Sequence, residues 1–148
     1  MIAYSDFDWA GCLDDRKSTS GAAFFLGDRL VAWHNKKQVY VSLSTAEAEY
    51  IATTSCCTQV LWMSQTLSDM GIDVSKPISI LCDNTSAINI SKNPIMHSRT
   101  KHIAINFHFL QEKVLANEVC IHFVRSQDQV ADIFTKPLAK ELFERLRL

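Results

Sequence analysis

The sequence predicts an α/β domain on a mixed sheet of five strands, with helices packed on its faces. Three observations carry the prediction. The first third of the chain alternates short apolar runs with tight turns, as hairpins do. A long amphipathic stretch from about Thr45 to Met70 then reads as one helix. The rest runs strand, helix, strand and short helices, an order that builds parallel strands through crossovers. At 148 residues, 47% hydrophobic, with four Gly and three Pro, the chain can bury one sizeable core.

Taken in order, Ile2 to Asp8 is the first strand, and Asp6 and Asp8 near its end point to one face. Ala10 to Ser20 is a polar turn region around Gly11. Gly21 to Leu26 is a second strand, Gly27-Asp28-Arg29 a tight turn, and Leu30 to His34 a third strand, so residues 20–36 form a hairpin. Lys36-Lys37-Gln38 follows, and Val39 to Ser42 stays extended. Ser44 with Glu47 three residues later is a helix start, and Gly71 is the matching C-cap. At about 100° per residue, Tyr50, Cys56, Cys57, Val60, Leu61, Met63 and Leu67 spread over a broad apolar arc. Glu49 falls near the middle of that arc, whereas Glu47 falls opposite and suits capping.

Pro77 to Asp83 is a fourth strand, apolar on both faces and therefore central. Asn84 to Lys92 is a short helix closed by Asn93-Pro94. Met96 to His102 is basic and hydroxyl-rich. Ile103, Phe107, Leu110 and Val114 give the helical period to residues 103–117. Glu118 to Val124 is the fifth strand, and Arg125 to Gln129 a loop. Val130 to Lys136 is a short helix stopped by Pro137, and Ala139 to Leu148 a last charged helix. A right-handed crossover through the long helix sets strand four beside strand one. The carboxyl ends of two such parallel strands are where open α/β sheets bind ligands.

Composition narrows the function. Fifteen Lys and Arg against sixteen Asp and Glu exclude a bulk polyanion binder, so any nucleic-acid contact needs a local basic patch. The five cysteines, Cys12, Cys56, Cys57, Cys82 and Cys120, fit no zinc spacing. They suit a reducing compartment, with the Cys56-Cys57 pair as small buried hydrophobes. No apolar run approaches the ~18 residues of a membrane helix, so no membrane partner is expected. Trp9, Trp33 and Trp62 are expected in the core.

Four acids converge in this topology: Asp6 ending strand one, Glu49 on the long helix, Asp83 ending strand four, and Asp132 in the late short helix. Carboxylates crowded in a low-dielectric pocket need a counter-cation. All-oxygen acidic sites suit Mg²⁺ or Mn²⁺, and a pair of ions about 3.5–4 Å apart can drive phosphodiester hydrolysis. Each acid also has an ordinary reading: a strand-end cap for Asp6, a solvated helix acid for Glu49, an Asx turn for Asp83, a plain helix acid for Asp132. Asp8 reads as a solvated or turn-bonding acid, with metal neighbour as the alternative.

The residues then match a family. Tyr4-Ser-Asp-Phe-Asp-Trp-Ala-Gly11, Asp15-Arg-Lys-Ser-Thr-Ser-Gly21, Ser44-Thr-Ala-Glu-Ala-Glu-Tyr50, Leu81-Cys-Asp-Asn-Thr-Ser-Ala-Ile88, Lys92-Asn-Pro94, Arg99-Thr-Lys-His102 and Asp128-Gln-Val-Ala-Asp-Ile-Phe-Thr-Lys-Pro137 span nearly the whole chain in family order. The chain resembles the ribonuclease H domain of copia-type long-terminal-repeat retrotransposon Pol polyproteins. The resemblance implies a ribonuclease H-like fold, a five-stranded mixed sheet with helices on both faces, over residues 1–148 as a C-terminal piece of a larger polyprotein. It implies a two-metal endonuclease that takes two Mg²⁺ ions, with Mn²⁺ as the alternative. Its four family acids fall on Asp6, Glu49, Asp83 and Asp132, and the helical arc prefers Glu49 over Glu47 on its own grounds. It implies hydrolysis of the RNA strand of an RNA·DNA hybrid to a 5′-phosphate and a 3′-hydroxyl. The implied partner is the reverse transcriptase portion of the same polyprotein, and the implied location a cytoplasmic retroelement particle, with the nucleus as the alternative.

One departure stands out. Many ribonucleases H carry a mobile His in the loop before the last acid, and Arg125-Ser-Gln-Asp-Gln129 has none. His122 reads as a strand-face residue and not its substitute. For substrate, reading RNA needs 2′-hydroxyl contacts and the DNA strand needs phosphate contacts. The candidates are Arg16, Lys17, Ser18, Thr19, Ser20, Lys36, Lys37, Gln38, Asn84, Ser86, Arg99, Thr100, Lys101 and His102. Two other readings compete: a catalytically weak hybrid-binding domain attached to a reverse transcriptase, and an acid-site integrase or resolvase. The intact acids weigh against the first, and the absence of those families' motifs against the second.

Overall fold

In a computed structural model, which describes residues 1–9, 11, 13–92 and 101–147, the chain forms one five-stranded sheet in the order β3-β2-β1-β4-β5. The strands are β1 (Ile2–Asp8), β2 (Thr19–Leu26), β3 (Arg29–Lys37), β4 (Ile78–Cys82) and β5 (Val119–Phe123). The helices are α1 (Thr45–Asp69), α2 (Thr85–Lys92), α3 (Lys101–Leu115) and α4 (Lys140–Leu146). β1, β2 and β3 pair antiparallel, while β4 lies parallel to both β1 and β5. The sheet is mixed because a short turn joins β2 to β3, whereas α1 is the crossover that returns the chain parallel to β1.

α1 is fixed at both ends by its own sequence. Ser44 accepts the Glu47 amide, and the Glu47 carboxylate reaches back to the Leu43 amide at 2.9 Å. Two orphan N–H groups are thereby satisfied. At the far end Gly71 (φ +79°) takes the left-handed conformation. Its amide bonds Ser68 and the Ile72 amide bonds Leu67, closing a Schellman motif. The arc between them buries Tyr50, Cys56, Cys57 and Val60 against Ala3, Phe24, Ile78, Ile80, Leu110 and Val119. Tyr50 also stacks on Phe107 at 4.1 Å and donates to its carbonyl. Cys56, Cys57 and Cys82 are buried free thiols.

The sheet has two covered faces, and alternation along β2 separates them. Ser20 meets Gln38, whose amide also reaches Ala48 on α1. The next residue, Gly21, faces the other way, against Ala131, Phe134 and Thr135. That second face carries a short 3-10 turn, Val130–Phe134, where the sequence suggested a longer helix to Lys136.

Other details depart from expectation. β2 begins two residues early and β3 runs to Lys37, because Thr19 and Ser20 pair with Lys37 and Lys36 in register. Val39 to Ser42 does not stay extended throughout but bends at Val39 and Tyr40, after β3 stops where Gln38 turns inward and bonds Ser18. Trp9, Trp33 and Trp62 are not core residues but are 50%, 62% and 63% exposed. Trp33 lies on edge strand β3 and stacks on Phe134 at 6.1 Å. No helix among the described residues is long and apolar enough to cross a membrane.

Candidate active site

The carboxyl ends of β1 and β4 lie side by side, as the crossover rule requires. β1 brings Asp6, which is 1% exposed. Asp6 pairs across the ladder with Gly21 and shares its face, so it points toward the Val130–Phe134 turn. β4 ends at Cys82, and Asp83 follows it. The Asx-turn role open to Asp83 is filled by its neighbour. The Asn84 side chain accepts the Ala87 amide at 3.0 Å and caps α2. Asp83 is left to point into the site, where Ser126 donates to it at 2.8 Å.

The third acid, Asp132, sits on the Val130–Phe134 turn and is 3% exposed. Gln129 sets its position. This fully buried residue caps the turn by accepting the Ala131 amide, and its own amide nitrogen donates to the Ser5 carbonyl at 2.8 Å. One side chain thus ties the turn to β1 next to Asp6. Gly21 completes the fit, because a Cβ there would lie 2.5 Å from the Thr135 methyl. Thr135 can then donate its hydroxyl to Asp6.

The result is a cluster in which one carboxylate oxygen each from Asp6, Asp83 and Asp132 lies within 4.8 Å of the others. Glu49 is not one of these three. It comes from α1, on the opposite face, and is fully buried. One of its oxygens accepts the Cys82 thiol at 3.1 Å. Its other oxygen, Oε2, has no hydrogen-bond partner among the described residues. Asp8 also stays out of the cluster, with its carboxylate over Gly11.

Burial and mutual repulsion set the electrostatics. Burial first, and then the charge of Asp132, push the Asp6 carboxyl from an ordinary 3.8 up to about 7, against the pull of Thr135 and Lys136. Burial and then Asp6 hold Glu49 well above the usual carboxylate range. Burial also raises Asp132, although Lys136 opposes it. The Lys136 ammonium lies 3.0 Å from Asp132 and 3.5 Å from Asp6. Burial lowers the lysine's own pKa, but the two acids outweigh that and hold it above its ordinary value. The donor set fits a hard cation in its chemistry: oxygen donors only, with a buried, unpaired Glu49 oxygen behind them.

The candidate substrate contacts divide. Ser18 and Ser20 are buried, at 0% and 4% exposure, and Gln38 at 6%. The Gln38 backbone amide donates to the Ser18 carbonyl, its side chain donates to Ser20 and Ala48, and Ser42 donates to it in turn. These three residues clamp β2 to the start of α1, and their side chains are spent on that clamp. Lys37 pairs with Asp15 at 2.7 Å. Asn84 caps α2. Arg16, Lys36 and Ser86 are exposed, and Lys17 and Thr19 half-buried. Arg99 and Thr100 lie outside the described residues, and Lys101 and His102 open α3. Sequence reasoning missed Gln129, Ser126, Thr135 and Lys136. Gln129 carried a signal, a polar cap three residues before an acid; Ser126 and Thr135 are site residues only through long-range contacts with Asp83 and Asp6, and Lys136 joins a local contact with Asp132 to a long-range one with Asp6.

The fold and this acid cluster define a class: the chain is a ribonuclease H-fold domain. It aligns with LC11-RNase H1, solved in complex with RNA/DNA hybrid, at TM-score 0.65 and 10% identity over 90% of this chain and 92% of that one. It also aligns with the foamy viral protease-reverse transcriptase, solved in complex with RNA/DNA hybrid, at TM-score 0.64 and 11% identity, covering 97% of this chain and 20% of that one.

No family model matches the sequence. Over most of its length, however, its homologues include the Pol polyproteins of copia-type retrotransposons. It is 41% identical over 97% of its length to the retrovirus-related Pol polyprotein from transposon RE2 of Arabidopsis thaliana. It is 37% identical over 97% to that from transposon TNT 1-94 of Nicotiana tabacum. The chain spans 10% and 11% of those relatives' own lengths.

Proposed function

We propose that this domain is a metal-dependent nuclease that hydrolyses the RNA strand of RNA·DNA hybrids, working beside a reverse transcriptase in a Pol polyprotein. One observation carries the reading: acids from the ends of β1 and β4 and from the Val130–Phe134 turn converge within 4.8 Å, with Glu49 buried behind them and its Oε2 unpaired. The names of the relatives and of the two hybrid complexes support the substrate.

Asp6, Asp83 and Asp132 would hold divalent cations, Mg²⁺ or Mn²⁺, and the free oxygen of Glu49 would complete the set. When bound, such ions supply a water acidic enough to attack near neutral pH and neutralise charge on the transferring phosphate. The protein's part is preorganisation. Ser126 holds Asp83, Thr135 holds Asp6, and the Gln129 bridge keeps Asp132 in range of Asp6. The sheet beneath keeps these acids from spreading apart, so their repulsion is stored for an entering cation. Lys36 lies across β2 from Phe7, about 10 Å from β1 at the usual strand spacing. With Arg16, Lys17, Thr19 and Ser86 it is available to phosphate and sugar oxygens.

The test is cleavage of an end-labelled hybrid with Mg²⁺ by wild type and by Asp83→Asn, with duplex DNA and duplex RNA as controls. Wild type should cut only the RNA of the hybrid, and Asp83→Asn should not. Hybrid binding without cleavage by wild type would leave a non-catalytic binding domain instead, and cleavage of duplex DNA would move the assignment to a different nuclease class.

A further inference from the structure

Lys136 stands unexplained by the metal reading, because a cation bound to the ligands of another cation works against it. Its ammonium bridges Asp132 and Asp6 at 3.0 and 3.5 Å, two of the three acids that converge. It follows Asp132 by four residues, just past the end of that short turn, and its amide bonds the Asp132 carbonyl at 3.2 Å. The backbone is therefore fixed to the site while the head is not. The side chain is 34% exposed, against 2% and 5% for the two acids. A four-carbon stem with one end at the surface can swing its head into solvent without moving the turn. Thr135, by contrast, is buried and bonded to Asp6, and cannot follow.

We propose that Lys136 is a built-in, displaceable counter-ion: it neutralises Asp6 and Asp132 while the site holds no metal, and gives way when a divalent ion enters. This rests on the metal site proposed above. Two cations sharing the same carboxylates repel, so each lowers the site's affinity for the other. The lysine thus keeps a crowded acid site folded without metal, and it weakens divalent binding in return.

The experiment uses Mn²⁺ alone as probe. Its affinity for wild type, Lys136→Met, Lys136→Gln and Lys136→Arg is measured by calorimetry, and Tm is measured in EDTA and in Mn²⁺. The neutral variants should bind Mn²⁺ about three- to tenfold more tightly, a gain of about 0.7–1.4 kcal/mol, and Lys136→Arg should stay within about twofold of wild type. The neutral variants should also melt lower than wild type in EDTA and gain more from Mn²⁺. A variant that folds only when Mn²⁺ is present supports the proposal equally. Unchanged or weaker Mn²⁺ binding by both neutral variants overturns it, whatever their activity. If wild type itself binds no Mn²⁺, the metal site fails, and this inference with it.

Discussion

The two ends of β4 carry the same kinds of charged group in opposite balance. At its amino end Glu118 faces two lysines, Lys113 at 3.2 Å and Lys76 at 3.5 Å, and Lys113 also reaches Glu112. Those groups are partly exposed, and each acid has a cation. At its carboxyl end three acids converge, a lysine reaches two of them, and a fourth acid lies buried behind them. The titration shifts follow the balance. Glu118 is held below its ordinary value, chiefly by the hydrogen bond from Lys113. Asp6, Glu49 and Asp132 are all held above theirs, chiefly by burial. A cluster that satisfies itself is architecture. One that cannot, yet is locked in place by Gln129, Thr135 and Ser126, has the chemistry to favour an entering cation.

The largest break in this contrast should come from Asp6→Asn. Cleavage of hybrid should fall on the order of 10²–10³-fold or more, the scale of losing one preorganised electrostatic group. In EDTA at pH 8 the same variant should melt higher than wild type, by about 3 °C or more, since a buried, repelled charge is removed. An activity loss together with a lower Tm would mean that Asp6 serves folding instead.

Gly21→Ala attacks the same end through packing. The new methyl would meet Thr135 and the Ala131 carbonyl, and the turn bearing Asp132 must shift. Destabilisation of about 1–3 kcal/mol, the usual cost of overpacking, should accompany weaker Mn²⁺ binding. The urea midpoint and Mn²⁺ calorimetry read the two effects. Full Mn²⁺ affinity in the variant would show that the turn accommodates the methyl without moving Asp132.

Much of this site is legible before folding, because it lies at element ends. Period-two and period-3.6 patterns place Asp6, Asp83 and Glu49, and the handedness of one crossover sets the strands bearing Asp6 and Asp83 side by side. The rest depends on which polar residues the folded chain turns inward. Ser18, Ser20 and Gln38 read as a hydrophilic surface. They are buried because β2 and β3 pair further than their apolar residues indicate, which brings Gln38 over Ser18 and Ser20. Thr135 and Lys136 read as the end of a short helix. They become site residues only because the chain returns beneath Gly21 to meet an acid 129 positions earlier. The tryptophans fail in the other direction: Trp33 finds one aromatic partner on an edge strand and stays exposed. Sequence patterns register local periodicity and miss contacts closed by the final turn of the chain.

The pH dependence of stability should carry opposite signs at the two ends. Folded Asp6 keeps its proton up to about 7 against an ordinary 3.8, and Glu49 and Asp132 shift the same way. Between those values the folded chain binds more protons than the unfolded one, so stability falls as pH rises through the interval. In EDTA, Tm should therefore decline from pH 5 to pH 8, by about 3–6 °C on the scale of a domain this size. Saturating Mg²⁺ should abolish most of the decline. A flat profile in EDTA would mean that Lys136 already compensates the acids in full.

The smallest effect should come from the self-satisfied end, which makes it the control for all the others. Glu118 has a lowered pKa, so its contribution is present above its unfolded value and is lost as pH falls through the folded one. Glu118→Gln removes that contribution but leaves an amide that can still accept from Lys113, in a setting where water screens the pair. Its Tm should stay within about 2 °C of wild type at pH 7, with hybrid cleavage and Mn²⁺ affinity unchanged. The small loss should vanish at high salt, because partly exposed pairs are screened there. A large loss would mean that the Lys76–Glu118–Lys113 cluster pins β4 against β5. In that case rigidity at one end of β4 would contribute to holding Asp83 at the other, and the two clusters could no longer be treated as independent.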